Sequence, residues 1–215
     1  MSSLPPLSGE SPPPAPRSRP GGRTARIRDQ VLDAVRAELT EHGYDALTVD
    51  TVAARAGVHR TTVYRRWHDV GGLLSDVFDA ATDMEWHPRD TGTLRGDLAV
   101  LNQEIQDSLT EESSIAVALI AVSFRSDEAA RALRRLWEDR YTQSEIIIQR
   151  AIRRGELPAD VDARALLIAA TAPIYHQLVL LRTPPDPHLP DRAAASAALA
   201  ACSGAFIDQR SNGAN

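Results

Sequence analysis

The sequence predicts an all-α protein of about nine helices, a small N-terminal three-helix unit followed by a larger helical domain. Apolar residues recur at three- and four-residue spacing in successive segments. Glycines, prolines and capping residues separate those segments, and no segment calls for the strict alternation of a half-buried strand. At 215 residues, 43% of them hydrophobic, the chain can bury a substantial core.

Residues 1–22 are expected to form a disordered tail, because Met1 to Pro20 holds seven of the fourteen prolines together with several serines. The end of this stretch is basic: Arg17 to Arg28 carries five arginines, so Arg23 and Arg26 are candidates for a phosphate-binding arm, with a solvated linker as the alternative. From Thr24, Ile27, Val31, Ala34, Val35 and Leu39 outline an amphipathic helix that Gly43 stops. Thr48 stands where an N-cap belongs and Asp50 suits the first turn of a short helix, Val49 to Ala56, closed by Gly57. Arg60 to Arg66 make the third helix, which completes a unit at 23–70. Gly71 and Gly72 precede a connecting helix within 71–86, running through Leu73, Leu74, Val77, Phe78 and Ala81 to Met84.

Beyond His87, Pro88 and Gly92, a domain at 87–210 is expected to contain helices at Leu94 to Leu109, Ser114 to Phe124, Asp127 to Arg153, Asp162 to Arg182 and Asp191 to Ile207. Pro173 lies inside the fourth of these, where its ring removes one backbone bond and leaves the carbonyl of Ala169 without its usual partner.

The formal charge of -5 conceals an asymmetry. Ten arginines face six acids between Arg17 and Arg66, whereas fourteen face twenty-three in the remainder. Lysine is absent, which excludes the lysine of a phosphate-binding loop and Schiff-base chemistry. Cys202 is the single cysteine, so there is no disulfide framework. No zinc-protease, nucleophile-elbow or glycine-rich phosphate motif is present, and the six histidines are scattered, so neither catalytic residues nor a metal or other cofactor are expected. Without a signal peptide or an uninterrupted apolar run of about 18 residues, the expectation is a cytoplasmic protein with no membrane partner.

The segment Thr48 to Trp67 carries the most specific signal. Ala53 permits close approach of two helices, Gly57 can take the left-handed turn between them, and Val52, Val58 and Val63 fill the space behind. That arrangement leaves His59, Arg60, Thr61, Thr62, Tyr64 and Arg65 on the outer face of the second helix of the pair, which suits insertion into a major groove.

Between Arg23 and Phe78 the chain resembles the TetR family of regulators. The resemblance rests on Gly43-Tyr44, Leu47-Thr48, Val52-Ala53, Ala56-Gly57-Val58, Thr62-Val63-Tyr64, Trp67 and Leu73-Leu74. Trp67 replaces a frequent phenylalanine, and Asp69-Val70-Gly71-Gly72 replaces the usual turn, removing a phosphate-binding lysine. The resemblance implies that Thr48, Thr61, Tyr64 and His68 contact phosphate and that Arg60 and Arg65 read guanine, with Thr62 reaching thymine or phosphate.

It also implies a ligand pocket among the C-terminal helices for a small hydrophobic or aromatic effector, and a homodimer formed through the last two helices on a palindromic operator in double-stranded DNA. Candidate pocket residues are Trp86, Phe124, Trp137, Tyr141, Ala169, Tyr175 and His176. Ala193, Ala194, Ala195, Ala197, Ala198, Ala200 and Ala201 suggest close packing across the dimer interface. The implied function is a DNA-binding transcriptional regulator, with repression relieved by an effector. A DNA-binding protein without effector, architectural or constitutive, and an all-helical enzyme remain the alternatives.

Overall fold

The computed structural model describes residues 22–82, 86–111 and 114–207. Nine α-helices occur among them: α1 (Gly22–His42), α2 (Val49–Ala56), α3 (Arg60–Trp67), α4 (Val70–Thr82), α5 (Leu94–Thr110), α6 (Ile115–Ser123), α7 (Asp127–Arg153), α8 (Ala163–Tyr175) and α9 (Leu189–Cys202). The expected tail lies outside the described residues but for Gly22, as do Met84 and 208–210.

Helix starts follow from local chemistry. Thr48, Thr93, Ser114, Ser126 and Asp162 each cap a helix by accepting a hydrogen bond from the backbone amide three residues on. Gly57, at φ 65° and ψ 29°, ends α2 in the left-handed conformation that glycine adopts without a Cβ penalty.

Two cores organise the chain. The first joins α1–α4 through Val31, Val35, Val52, Val63, Leu73 and Phe78, and continues into Leu119 and Val122 of α6 and Ala129 and Ala132 of α7. The second joins α5, α8 and α9 to the other half of α7 through Leu98, Ile147, Ile148, Leu166, Leu167, Ala194 and Ala197. Helix α7, 27 residues and so about 40 Å long, is common to both.

Two segments of the C-terminal half depart from the sequence expectation. The helix expected over Asp162 to Arg182 ends at Tyr175 and widens into a π turn at His176–Leu180. Pro173 sits three residues before the change and supplies no amide to the helical ladder. The α8 stretch with its π turn, 163–180, is also long and apolar enough by composition to cross a membrane, although no uninterrupted run was expected. Here its Leu166, Leu167, Ala170 and Ile174 are buried against the protein. The last helix stops at Cys202 rather than Ile207, because the chain folds back: Asp162 donates its amide to the carbonyl of Phe206, and Ile207 bridges Val161.

The connection between α3 and α4 is unusually tight. Asp69 donates its amide to the carbonyl of Trp67 across His68, which sits at φ 67° and ψ -49°, a γ-turn in a conformation that L residues rarely occupy. Helix α4 starts at Val70, so both glycines lie inside it; Asp69 Oδ1 accepts from the Gly72 amide. A Cβ at Gly72 would run into the carbonyl oxygen of Trp67. The sequence Asp69-Val70-Gly71-Gly72 thus brings α4 against the end of α3.

Candidate DNA-reading face and effector cavity

The outer face of α3 presents Arg60, Thr61, Tyr64 and Arg65 to solvent, with Tyr64 47% exposed and Thr62 half-buried. His59 caps the helix through Nδ1, which lies 2.9 Å from Thr61 Oγ1. Thr48 and Thr51 form a reciprocal capping box at the start of α2, and Thr48 remains exposed. His68 is exposed at the far end of α3, and Arg26 is exposed on α1. Arg23 lies on the first turn of α1, and its side chain falls outside the described residues.

The arginines of this head fall into two groups. Arg55 is spent internally, bonded to Glu38 at 2.5 Å and to Glu41 at 2.5 and 2.9 Å, which fastens α2 to α1. Its guanidinium pKa is raised and the Glu41 carboxyl is held low by the same contacts. Arg28 is likewise engaged, at 2.6 to 3.1 Å from Asp76 of α4. Arg60 and Arg65, by contrast, form no ion pair among the described residues and stand exposed on one helix. Two such forks without internal partners are what bidentate recognition of a base edge or phosphate requires.

Trp67 is buried, and its indole N–H donates to Asp76 Oδ2 at 2.8 Å while the Arg66 guanidinium lies 5.0 Å from the ring centroid. Burial pushes the Asp76 carboxyl up, but Arg28 and the Trp67 N–H outweigh it and hold the group below its ordinary value. Asp76 therefore ties α1 and the end of α3 to α4. No local pattern in the sequence points to it, since its partners lie 48 and 9 residues away.

A cavity of about 310 Å³ lies in the seam between the two cores. Ala81 of α4, Leu101 and Glu104 of α5, Leu119 of α6, Leu136 and Arg140 of α7 and Thr171 of α8 line it, so five helices meet there. Among the sequence candidates, Trp86, Trp137, Tyr141 and Tyr175 are brought together at this wall. The ring centroids of Trp137 and Tyr175 are 5.2 Å apart edge to face, and those of Trp137 and Tyr141 are 6.2 Å apart.

The other three candidates are elsewhere. Phe124 follows the last residue of α6 and is 75% exposed, because α6 ends one residue earlier than expected. Ala169 lines a separate groove with Pro173 between α8 and α9, and His176 is exposed on the π turn. Pro173 thus lies at this groove and not at the cavity.

Sequence reasoning missed Glu104, Arg140, Ser144 and Thr171. The available signal was a set of polar residues interrupting apolar faces at helical spacing, such as Arg140 and Ser144 after Leu133, Leu136 and Trp137. Glu104 accepts from the Trp86 indole N–H at 3.0 Å. Arg140 donates to the carbonyl of Ala81 at 3.0 Å. Burial raises the pKa of Tyr175 and the adjacent Tyr141 phenol adds to it, partly opposed by Arg140; burial also raises Tyr141, partly opposed by Thr171. Both phenols stay protonated at neutral pH. No cluster of three or more metal-ligating side chains occurs among the described residues.

Comparison with known proteins bears on both features. Residues 31–77 match the model for bacterial regulatory proteins of the tetR family, and 88–197 match that of the tetracyclin repressor-like C-terminal domain. The transcriptional regulator AqdR of Rhodococcus erythropolis is 34% identical over 174 residues, 80% of this chain and 83% of AqdR. The chain belongs to the TetR family of helix-turn-helix transcriptional regulators. Another TetR-family relative, the DNA-binding transcriptional repressor TetR of Mycobacteroides abscessus, is 32% identical over 146 residues, covering 66% of this chain and 76% of that repressor. Among solved TetR structures, a regulator from Agrobacterium tumefaciens superposes with a TM-score of 0.59 at 22% identity, over 86% of this chain and 96% of its own. The SmeT–triclosan complex gives 0.54 at 21%, covering 85% and 92%. These structures share the fold.

Proposed function

We propose that this regulator is a cytoplasmic homodimeric repressor that binds a palindromic operator in double-stranded DNA and leaves it when a small hydrophobic or aromatic effector enters the cavity. The observation that carries the reading is the contrast among the head's arginines. Arg28 and Arg55 are neutralised within the fold, whereas Arg60 and Arg65 are exposed on α3 without an ion-pair partner among the described residues. Thr48, His59, Thr61, Thr62, Tyr64 and His68, with Arg23 and Arg26 at the amino-terminal side, would fix the register on phosphates and sugars.

In this reading residues 1–22 are a tail, 23–70 read DNA, 71–86 connect, and 87–210 bind effector and dimerise. Two copies would place their α3 helices about 34 to 36 Å apart in successive major grooves. The effector reading rests on the cavity's apolar and aromatic wall, on its position between the cores, and on the likeness to SmeT, whose structure is that of a complex with triclosan. The chain's role is regulatory rather than catalytic.

Selection of bound sequences from random duplex DNA by the purified protein, at two salt concentrations, tests the reading. Recovery of a palindrome with half-sites about one helical turn apart is expected, with affinity falling steeply as salt rises. Binding that is weak and indifferent to sequence would refute it.

A further inference from the structure

Arg140 occupies a singular position. It lines the cavity from α7, yet its Nη2 donates to the carbonyl of Ala81, in the last turn of the helix that leads out of the DNA-reading head. A guanidinium that donates to a helix carbonyl makes a charge-assisted bond, so this contact holds α7 to α4. Its other hydrogen-bond contact among the described residues is Gln143 Oε1 at 3.4 Å. No carboxylate among the described residues pairs with it. The half-buried guanidinium thus reaches the largely apolar cavity with only neutral hydrogen-bond partners among the described residues.

Tyr175 lines the same cavity, its ring edge to face with Trp137 at 5.2 Å. The carboxylate of Glu104, in the same cavity, is engaged by Trp86. A cation that pairs with no carboxylate among the described residues, in a cavity walled by the rings of Trp137, Tyr141 and Tyr175, fits one kind of molecule: a compact aromatic skeleton bearing an anionic oxygen.

We propose that the effector is an aromatic acid and that Arg140 is the contact through which it acts, exchanging the carbonyl of Ala81 for the ligand's anionic oxygen and thereby loosening the end of α4. This rests on the effector reading above and specifies the ligand chemistry and the trigger. Because Asp76 of α4 holds both Arg28 of α1 and Trp67 of α3, a displacement of α4 reaches the orientation of the reading helix directly. The exchange is favourable because a charge-assisted bond to an anion exceeds a bond to a neutral carbonyl, and its effect on DNA affinity belongs in the range of about five- to 150-fold.

The test uses the full-length protein and the duplex it selects, with 1-naphthoate, its neutral methyl ester and the cation 1-naphthylmethylammonium as probes. Binding is followed by quenching of tryptophan fluorescence and DNA affinity by anisotropy. In the wild type the acid is expected to bind at least about tenfold more tightly than the ester and to weaken DNA binding, in the range above. In Arg140→Gln that preference is expected to vanish while the ester still binds, and DNA affinity is expected to be lowered without any ligand. Arg140→Lys should restore much of the ligand-free DNA affinity, since an ammonium can still donate to Ala81. Melting temperature and dimer mass, unchanged in both variants, separate this from misfolding.

Equal binding of acid and ester, tighter binding of the cation, failure of the acid to bind at millimolar concentration, or DNA affinity unchanged or increased in Arg140→Gln would each overturn the proposal. Failure of the parent reading looks different: the wild type would then select no palindrome at all.

Discussion

At the residue scale, Gly72 and Asp76 decide how the reading head meets the rest of the molecule. A methyl group at position 72 would meet the carbonyl oxygen of Trp67, which the γ-turn at His68 holds in place. Gly72→Ala is therefore expected to lower stability by about 1 to 3 kcal/mol in thermal unfolding, as overpacking does. Gly71→Ala is expected to cost less, because the added carbon meets the Glu128 carboxylate, the end of a side chain that can rotate away. Asp76 lends a pH dependence. Its carboxyl titrates below the ordinary 3.8 in the folded protein, so its contribution is fully present above that value and is lost as pH falls through the depressed folded value. Asp76→Asn should remove that component, flattening the acid limb of a stability–pH curve and costing about 2 kcal/mol at neutral pH. Equal acid sensitivity in wild type and variant would contradict this. Thr48 as a cap was legible from the local sequence because its partner is three residues away. Neither the γ-turn nor the Asp76 contacts were, since one depends on a backbone conformation unusual for histidine and the other on chain segments far apart.

At the scale of elements, helix existence was readable because apolar spacing and capping are both short-range. The span Asp127–Arg153 matches the expectation at both ends, as does Val49–Ala56. The π turn after Tyr175 was not readable, because a proline marks a break in the ladder without stating how the chain accommodates it. The cavity was half legible: aromatic rings on α7 and α8 stand out in the sequence, but which of them face one seam depends on how five helices meet, and Phe124 and His176 face solvent instead. For α3 the pairing of arginines yields a sharp expectation. Arg60→Ala and Arg65→Ala should each weaken specific operator binding by about 1 to 3 kcal/mol and leave the melting temperature nearly unchanged. Arg55→Ala should do the reverse, lowering stability by releasing Glu38 and Glu41 with a smaller effect on sequence preference. Competition binding with matched and mismatched duplexes, beside thermal melts, distinguishes the two patterns; a stability loss in Arg60→Ala would place that side chain inside the fold.

At the scale of the whole molecule, the dimer proposed through the last two helices would draw on only part of the alanine pattern. Ala193, Ala194, Ala197, Ala198 and Ala201 are buried within the protomer, where α9 packs on α5 and α8; these five serve close packing inside one chain, whereas Ala195 and Ala200 stay half-buried, Ala200 in the groove with Ala169 and Pro173. The outward faces of α8 and α9 instead expose Ile168 and Leu199, at 45% and 71%, beside Ala169, Ala172 and Ser196. Large apolar side chains left open on two adjacent helices mark a surface that association would cover. A second copy presenting the same face satisfies it by two-fold symmetry, as an isologous interface does. Replacing both Ile168 and Leu199 with glutamate places like charges opposite their symmetry mates at little cost to a protomer that leaves these positions exposed. Sedimentation is expected to show monomers with unchanged helical content. Affinity for the full palindrome should fall by orders of magnitude while affinity for a single half-site changes little, because one reading helix per protomer survives and only the linkage between the two is lost. A dimer that persists through both substitutions would assign subunit contact to another face.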